Sequence, residues 1–234
     1  MGSKKQHEPT PEDTGIIENS RDIFEKAEYP NIESGVQKLL ADLDRWEQSH
    51  PDQHSVVIIG GPTGAGKTTL GERLSGGAET TVLSLDRYYL SPAEQTARFG
   101  EVNFSIPQSL DVERIKLDMA KISETPIGQT IKVPVYSMTE SQRTGEEDLI
   151  LKRRIIVEGV YALSQAIIPS PFRIYVEAPQ EELLQRKLRR DVLERGLSAD
   201  AVSQRFHQNV IQAIDEYVVS EKSNATVIIQ NSNK

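Results

Sequence analysis

The chain has no cysteine among its 234 residues, which excludes a disulfide framework, a thiolate metal site and a cysteine nucleophile. No apolar run approaches the roughly 18 residues needed to cross a bilayer, so a membrane partner is not expected. The opening MGSKKQHEPTPED has no apolar core behind its lysines and does not read as a secretory signal. Gln6 breaks the myristoylation pattern as well. A cytoplasmic protein is the natural expectation. A basic excess is also missing: the formal net charge is −8, whereas broad nucleic-acid binding needs a basic face to displace counterions. There is no internal repeat, no low-complexity segment, and no Asn-Lys-x-Asp sequence of the kind a GTPase uses to read its base.

What is present is an ordinary globular balance, 37% hydrophobic and 26% charged, at a length suited to one domain with an appendage. Residues 1–19 are polar, carry Pro9, Pro11 and Gly15, and read as a flexible tail. Residues 20–50 read as a helical extension. Within it Val36, Leu39, Leu40, Leu43 and Trp46 recur at helical spacing from Gly35 to Ser49, the stripe of a helix docked on the domain that follows at 51–234. In that domain, short runs rich in Val and Ile at Val56–Ile59, Thr81–Leu85, Ile155–Val157, Arg173–Val176 and Thr226–Ile229 read as buried parallel strands. Helical stretches lie between them, clearest at Asp111–Ser123, Gln180–Arg195 and Ala199–Val219. Strands separated by helices imply an α/β fold, a parallel sheet of about five strands flanked by helices. Residues 124–152 fit this pattern worst, and Ile131–Tyr136 and Asp148–Lys152 are candidate short strands outside the main sheet.

The strongest chemical signal is GGPTGAGKT, which follows the first of these strands. Gly61, Gly66, Lys67 and Thr68 meet the pattern G-x-x-x-x-G-K-[ST] where it must sit, after a strand and opening a helix. Gly61, Gly64 and Gly66 free the backbone to turn its N–H groups toward an anion, and the helix N-terminus adds its positive end. The segment Gly61-Pro62-Thr63-Gly64-Ala65-Gly66-Lys67-Thr68-Thr69 therefore predicts a nucleoside triphosphate site. Lys67 reaches the β and γ phosphates there, and the Thr68 hydroxyl binds Mg²⁺. A P-loop fold with no GTPase motif and only 234 residues fits a small-molecule kinase better than a motor ATPase.

A kinase also needs a carboxylate for the acceptor hydroxyl, an acceptor pocket and cations for the moving phosphoryl group. Asp86 ends the second predicted strand, on the side where a parallel sheet binds its ligands, and can take the acceptor's proton. Glu158 ends Ile155-Ile156-Val157-Glu158-Gly159 and can hold Mg²⁺ through water, while Gly159 leaves room for phosphates. Five cations fall between Arg186 and Arg195, with Arg186 and Arg190 four apart on one helix face and Arg195 just before Gly196. Such a face reads as a helical lid over the phosphates.

These residues resemble the uridine kinase and phosphoribulokinase group of P-loop kinases, over about residues 55–231. The pieces that carry the resemblance are GGPTGAGKTT, LDRYY, NFSIPQSLD, the PVY of KVPVY, IIVEGVYAL, and LRRDVLERG followed by Ser203-Gln204. The resemblance implies that Asp86 is the catalytic base. It also implies that Tyr89, Tyr136, Arg143, Arg190, Arg195 and Gln204 line the acceptor and phosphate sites. Two positions depart from it. Ser105 stands where uridine kinases usually carry the aspartate that binds the ribose hydroxyls, and Ser141 where they carry the histidine that reads the pyrimidine. The expected activity is an ATP- and Mg²⁺-dependent transfer of the γ-phosphoryl to a small-molecule hydroxyl, with a uridine- or cytidine-like nucleoside the leading acceptor. The alternatives are another hydroxylated metabolite, such as a sugar phosphate or a pantothenate-like molecule, and a nucleotide-binding regulator without catalysis. A homo-oligomer is left open.

Overall fold

The Val- and Ile-rich runs become strands in the computed structural model, which describes residues 26–75, 80–164, 170 and 172–232. The expected tail at 1–19 lies outside the described residues. Eight strands form among them: β1 (Ala27–Tyr29), β2 (Ser55–Gly60), β3 (Thr80–Ser84), β4 (Thr130–Ser137), β5 (Gln142–Ile150), β6 (Arg154–Glu158), β7 (Phe172–Glu177) and β8 (Val227–Gln230). Six of these make one sheet in the order β1-β8-β7-β2-β6-β3, every neighbouring pair parallel. The sixth strand is β1, which pairs with β8 within the stretch read only as a helical extension. Three residues of mixed polarity offer no period to detect.

Helices cover both faces of the sheet: α1 (Ile32–Ser49), α2 (Lys67–Ser75), α3 (Pro92–Phe99), α4 (Val112–Glu124), α5 (Gln180–Arg195) and α6 (Ala199–Arg205). Alternate strand residues divide the core, because successive side chains of a strand point to opposite faces. Val57, Ile59 and Ile156 pack with Leu39 and Leu43 of α1 and Leu70 and Leu74 of α2. Ile58, Ile155 and Val157 pack on the other side with Ile115, Met119 and Ile122 of α4. Asn31 caps α1 by accepting from the Ser34 N–H at 2.9 Å. The buried Arg154 guanidinium ties α1 to the sheet, donating to Glu47 at 2.8 Å, Asp44 at 3.0 Å and the Leu74 carbonyl at 3.0 Å. Among the described residues no helix is long and apolar enough to cross a membrane.

Residues 130–150 form a separate antiparallel ribbon of β4 and β5. Its second strand begins at Gln142, earlier than the expected Asp148, because cross-strand pairing rather than apolar alternation defines QRTGEEDLI. Beyond Arg205, α6 continues through two π-helical turns, Phe206–Val210 and Ile214–Val218, as far as Glu221. That rod and α5 flank the carboxyl ends of the central strands, where the cavity described next opens.

Candidate active site

The cavity has a volume of about 930 Å³, and the P-loop forms one of its walls. The three loop glycines that meet the conformational demand are Gly61, Gly64 and Gly66, with φ of 129°, 81° and 102°. Each also lies against backbone or side chain: a Cβ on Gly61 would sit 2.1 Å from the Val176 carbonyl oxygen, and one on Gly66 2.4 Å from Asn231 Nδ2. The loop is thus closed from behind while its front stays open, with Thr63, Gly64, Thr68 and Thr69 lining the cavity. Gly61, Pro62 and Ala65 form the inner turn and do not line it.

Lys67 opens α2, and its Nζ donates to the Gly61 and Pro62 carbonyls, both at 3.0 Å. Burial lowers its pKa, while the carboxylates of Glu158 and Asp86 favour the charged form and Arg190 opposes it. All four line the same cavity, so the P-loop lysine, the two predicted carboxylates and the lid arginine converge there. Asp86 lies in the 3-10 turn Leu85–Tyr88 that follows β3, its N–H bonded to Ser84 Oγ at 3.3 Å. Glu158 ends β6 and is buried. Gly159, expected to leave room for phosphates, lines the cavity and also leaves room for the Asp86 turn: a Cβ there would meet the Leu85 Cβ at 2.7 Å.

Beyond Asp86 the wall is aromatic. Tyr89 packs edge-on against Phe104 with centroids 5.6 Å apart, and Tyr136 tilts toward it at 6.0 Å. Burial is the largest influence raising the Tyr89 pKa far above its usual value, followed by Asp86. Burial, Asp86 and Glu94 together push Tyr136 up to about 12, against Arg143. Both phenols are therefore neutral hydrogen-bonding groups at physiological pH. Ser105 and Ser141 line this end too. The Ser105 N–H is held by Asn103 Oδ1 at 2.9 Å, and its carbonyl accepts from the Tyr161 hydroxyl.

Two expected acceptor residues are placed elsewhere. Arg143 does not line the cavity; it donates to Asp111 at 2.8 Å and Glu94 at 2.6 Å, bridging the ribbon to α4 and α3. Gln204 lies on the exposed face of α6, between the buried Val202 and Phe206. Arg190 and Arg195 do line the cavity, together with Arg186, Lys187 and Asp191. Thr68 and Glu158, the residues expected at Mg²⁺, lie on the same cavity beside Lys67. Sequence reasoning missed Asn231, whose side chain donates to the Ala65 carbonyl at 2.7 Å while its own carbonyl accepts from Arg186 at 3.0 Å. Arg186 in turn reaches the Gly64 carbonyl at 3.4 Å, so the end of β8, the P-loop and α5 are bonded together.

The family model described as Phosphoribulokinase / Uridine kinase family matches residues 56–234. A uridine kinase from Pectobacterium carotovorum is 31% identical over 194 residues, which is 77% of this chain and 90% of that one. Among solved structures, a possible uridine kinase from Bacillus stearothermophilus superposes with a TM-score of 0.57 at 19% identity, over 76% of this chain and 89% of that one. A D-glycerate 3-kinase from Cryptococcus neoformans gives 0.56 at 14% identity, over 81% and 89%.

Proposed function

The chain belongs to the phosphoribulokinase / uridine kinase family, and from that premise we propose that it moves the γ-phosphoryl of Mg²⁺-bound ATP to a hydroxyl of a neutral, ring-bearing acceptor, a nucleoside being the leading candidate. Membership makes it a small-molecule kinase, a phosphotransferase acting on a hydroxyl group. The observation that carries the finer reading is the convergence on one cavity of the P-loop amine, two carboxylates and an aromatic wall. In this reading the loop N–H groups and Lys67 cradle the phosphates, and Thr68 and Glu158 hold the Mg²⁺, which when bound neutralises phosphate charge. Asp86 takes the acceptor's hydroxyl proton as the new O–P bond forms and the bond to the β-phosphate oxygen breaks, leaving ADP. Arg190 and Arg195 face the charge spread over the transferring group.

Changing either arginine to Ala is expected to lower turnover more than thermal stability, because both stand on the cavity wall and outside the apolar core. Steady-state kinetics beside a thermal melt checks this. A large stability loss with normal kinetics would return the segment to a salt-bridged surface helix.

The acceptor end supports a neutral partner. Val102, Asn103, Phe104, Ser105, Met138 and Ser141 line the cavity beside Tyr89 without a formal charge, and the nearby Arg143 is already paired with Glu94 and Asp111; the cations that do line the cavity, Arg195 among them, belong in this reading to the transferring phosphate. A sugar phosphate would need free cations there. The fold does not decide between acceptors, since a D-glycerate kinase shares it. Uridine itself should be a weak substrate. A serine hydroxyl at position 105 cannot grip two ribose hydroxyls as a carboxylate does, a charged acceptor bonding about twice as strongly. We expect kcat/KM for uridine and cytidine below the ordinary range of about 10⁴ M⁻¹s⁻¹ and above. Ser105→Asp combined with Ser141→His should raise it; the left-handed φ of 53° at Ser141 is one that histidine tolerates. A wild-type value in the ordinary range would make this a plain uridine kinase.

A further inference from the structure

Three of the cavity's cations share one buried anion that the reaction does not use. The Asp191 side chain is 2% exposed and accepts from Lys187 at 2.5 Å and from Arg190 Nε at 2.9 Å, with Arg195 paired at 3.5 Å. Residues 187, 191 and 195 repeat every fourth position and so stack on one face of α5. All four residues line the cavity. The Asp191 backbone carbonyl accepts from the N–H groups of Gly196 and Leu197, which fixes the end of the helix on which Arg195 stands. An ordinary surface charge run leaves its carboxylates in water; this one is withdrawn from water and surrounded. Three cations on one carboxylate leave a surplus of two positive charges facing the P-loop. They are aimed by a common anchor, yet partly neutralised by it.

We infer that Asp191 is a positioning residue which holds Lys187, Arg190 and Arg195 in one cluster and competes with the triphosphate for them. The inference rests on the nucleotide reading of the cavity. It carries a sign that a merely structural role does not. Removing the negative charge should strengthen the attraction for nucleotide and, at the same time, spoil the aim of the arginines. Affinity and turnover should therefore move in opposite directions.

The test is calorimetric titration of the full-length chain with Mg²⁺-ATP, beside ADP release with uridine present, or the slow acceptor-free release where uridine gives none. Asp191→Asn is expected to bind Mg²⁺-ATP about 3–10-fold more tightly, as expected for one unit charge lost a few ångströms away in a partly solvated site. Its turnover should fall about tenfold or more, since the arginines lose their common anchor. Affinity equal to or weaker than wild type in a folded Asp191→Asn protein would overturn the inference. If that variant does not fold, Asp191→Glu decides, because it keeps the charge but moves it by one methylene. Affinity should then stay within about twofold while turnover falls about fivefold or more. Unchanged turnover would overturn the inference, and so would failure of Asp191→Glu to fold, which would assign the residue to structure. Lys67→Ala separates the two levels. If the wild type binds no Mg²⁺-ATP, or Lys67→Ala binds it normally, the nucleotide reading falls. If Lys67→Ala fails to bind and only the Asp191 arms disagree, this inference falls alone.

Discussion

Asp86→Asn is expected to lower turnover about 10²–10⁴-fold, with Mg²⁺-ATP affinity changed little. Asparagine keeps the shape and can still accept a hydrogen bond, but it cannot take the acceptor's proton. The turn that carries the residue does not depend on the carboxylate, since it is set by the Asp86 N–H on Ser84 Oγ and by the buried Leu85 and Tyr88 on either side. Tyr88 is itself anchored from behind, its hydroxyl on the buried carboxylate of Asp118 at 3.1 Å. The substitution should therefore leave the melting temperature near that of the wild type. Single-turnover kinetics with a good acceptor reads the effect without interference from product release. An Asp86→Asn enzyme that retains most of its turnover would show that the carboxylate is structural.

Lys67→Ala is expected to abolish productive nucleotide binding, an affinity loss of about 10²-fold or more, because a buried ammonium makes charge-assisted bonds to phosphate that nothing nearby replaces. The amine rests on the carbonyls of Gly61 and Pro62, against the loop and away from both apolar layers. Its removal leaves two carbonyls short of a donor, about 1–3 kcal/mol each, but it also removes the desolvation of a buried ammonium, so the fold should survive. Calorimetry with Mg²⁺-ATP on a protein whose melt is intact measures this. Unchanged affinity and turnover would contradict the placement of phosphates in the loop.

The parts of the molecule that could be read from sequence share a physical cause. β2 and β6 are buried on both faces, so they appear as unbroken Val and Ile runs, and the equally buried β7 still reads as apolar from Ile174 to Val176. The P-loop is legible because its backbone needs φ values that only glycine adopts freely, and its chemistry needs Lys67 and Thr68 in fixed places. What was illegible depends on contacts distant in sequence. β1 is a strand only because β8 lies beside it. Arg143 is held by Glu94 and Asp111, 49 and 32 residues away, so its charge is satisfied before any acceptor arrives. Gln204 fails for a helical reason: Val202 and Phe206 face inward on either side of it, and it turns outward between them. In sequence Asp191 is an unmarked carboxylate within the cationic segment read as a lid, and only its burial against Lys187 and the two arginines singles it out. Asn231 lies near the end of the chain with no motif around it, and its bonds to Ala65 and Arg186 appear only in the folded molecule.

The most direct test of the central claim is the fate of the γ-phosphate. The purified full-length chain is incubated with Mg²⁺ and ATP labelled at the γ position, together with each member of a panel of nucleosides, sugars and other hydroxylated metabolites, and the labelled products are separated. We predict a labelled phosphomonoester of at least one neutral, ring-bearing acceptor, with ADP released in equal amount, and product forming at least about 10²-fold more slowly with the Asp86→Asn protein. Label appearing only as inorganic phosphate across the whole panel, at the acceptor-free rate and with nucleotide bound normally, would contradict phosphoryl transfer and leave a nucleotide-binding regulator.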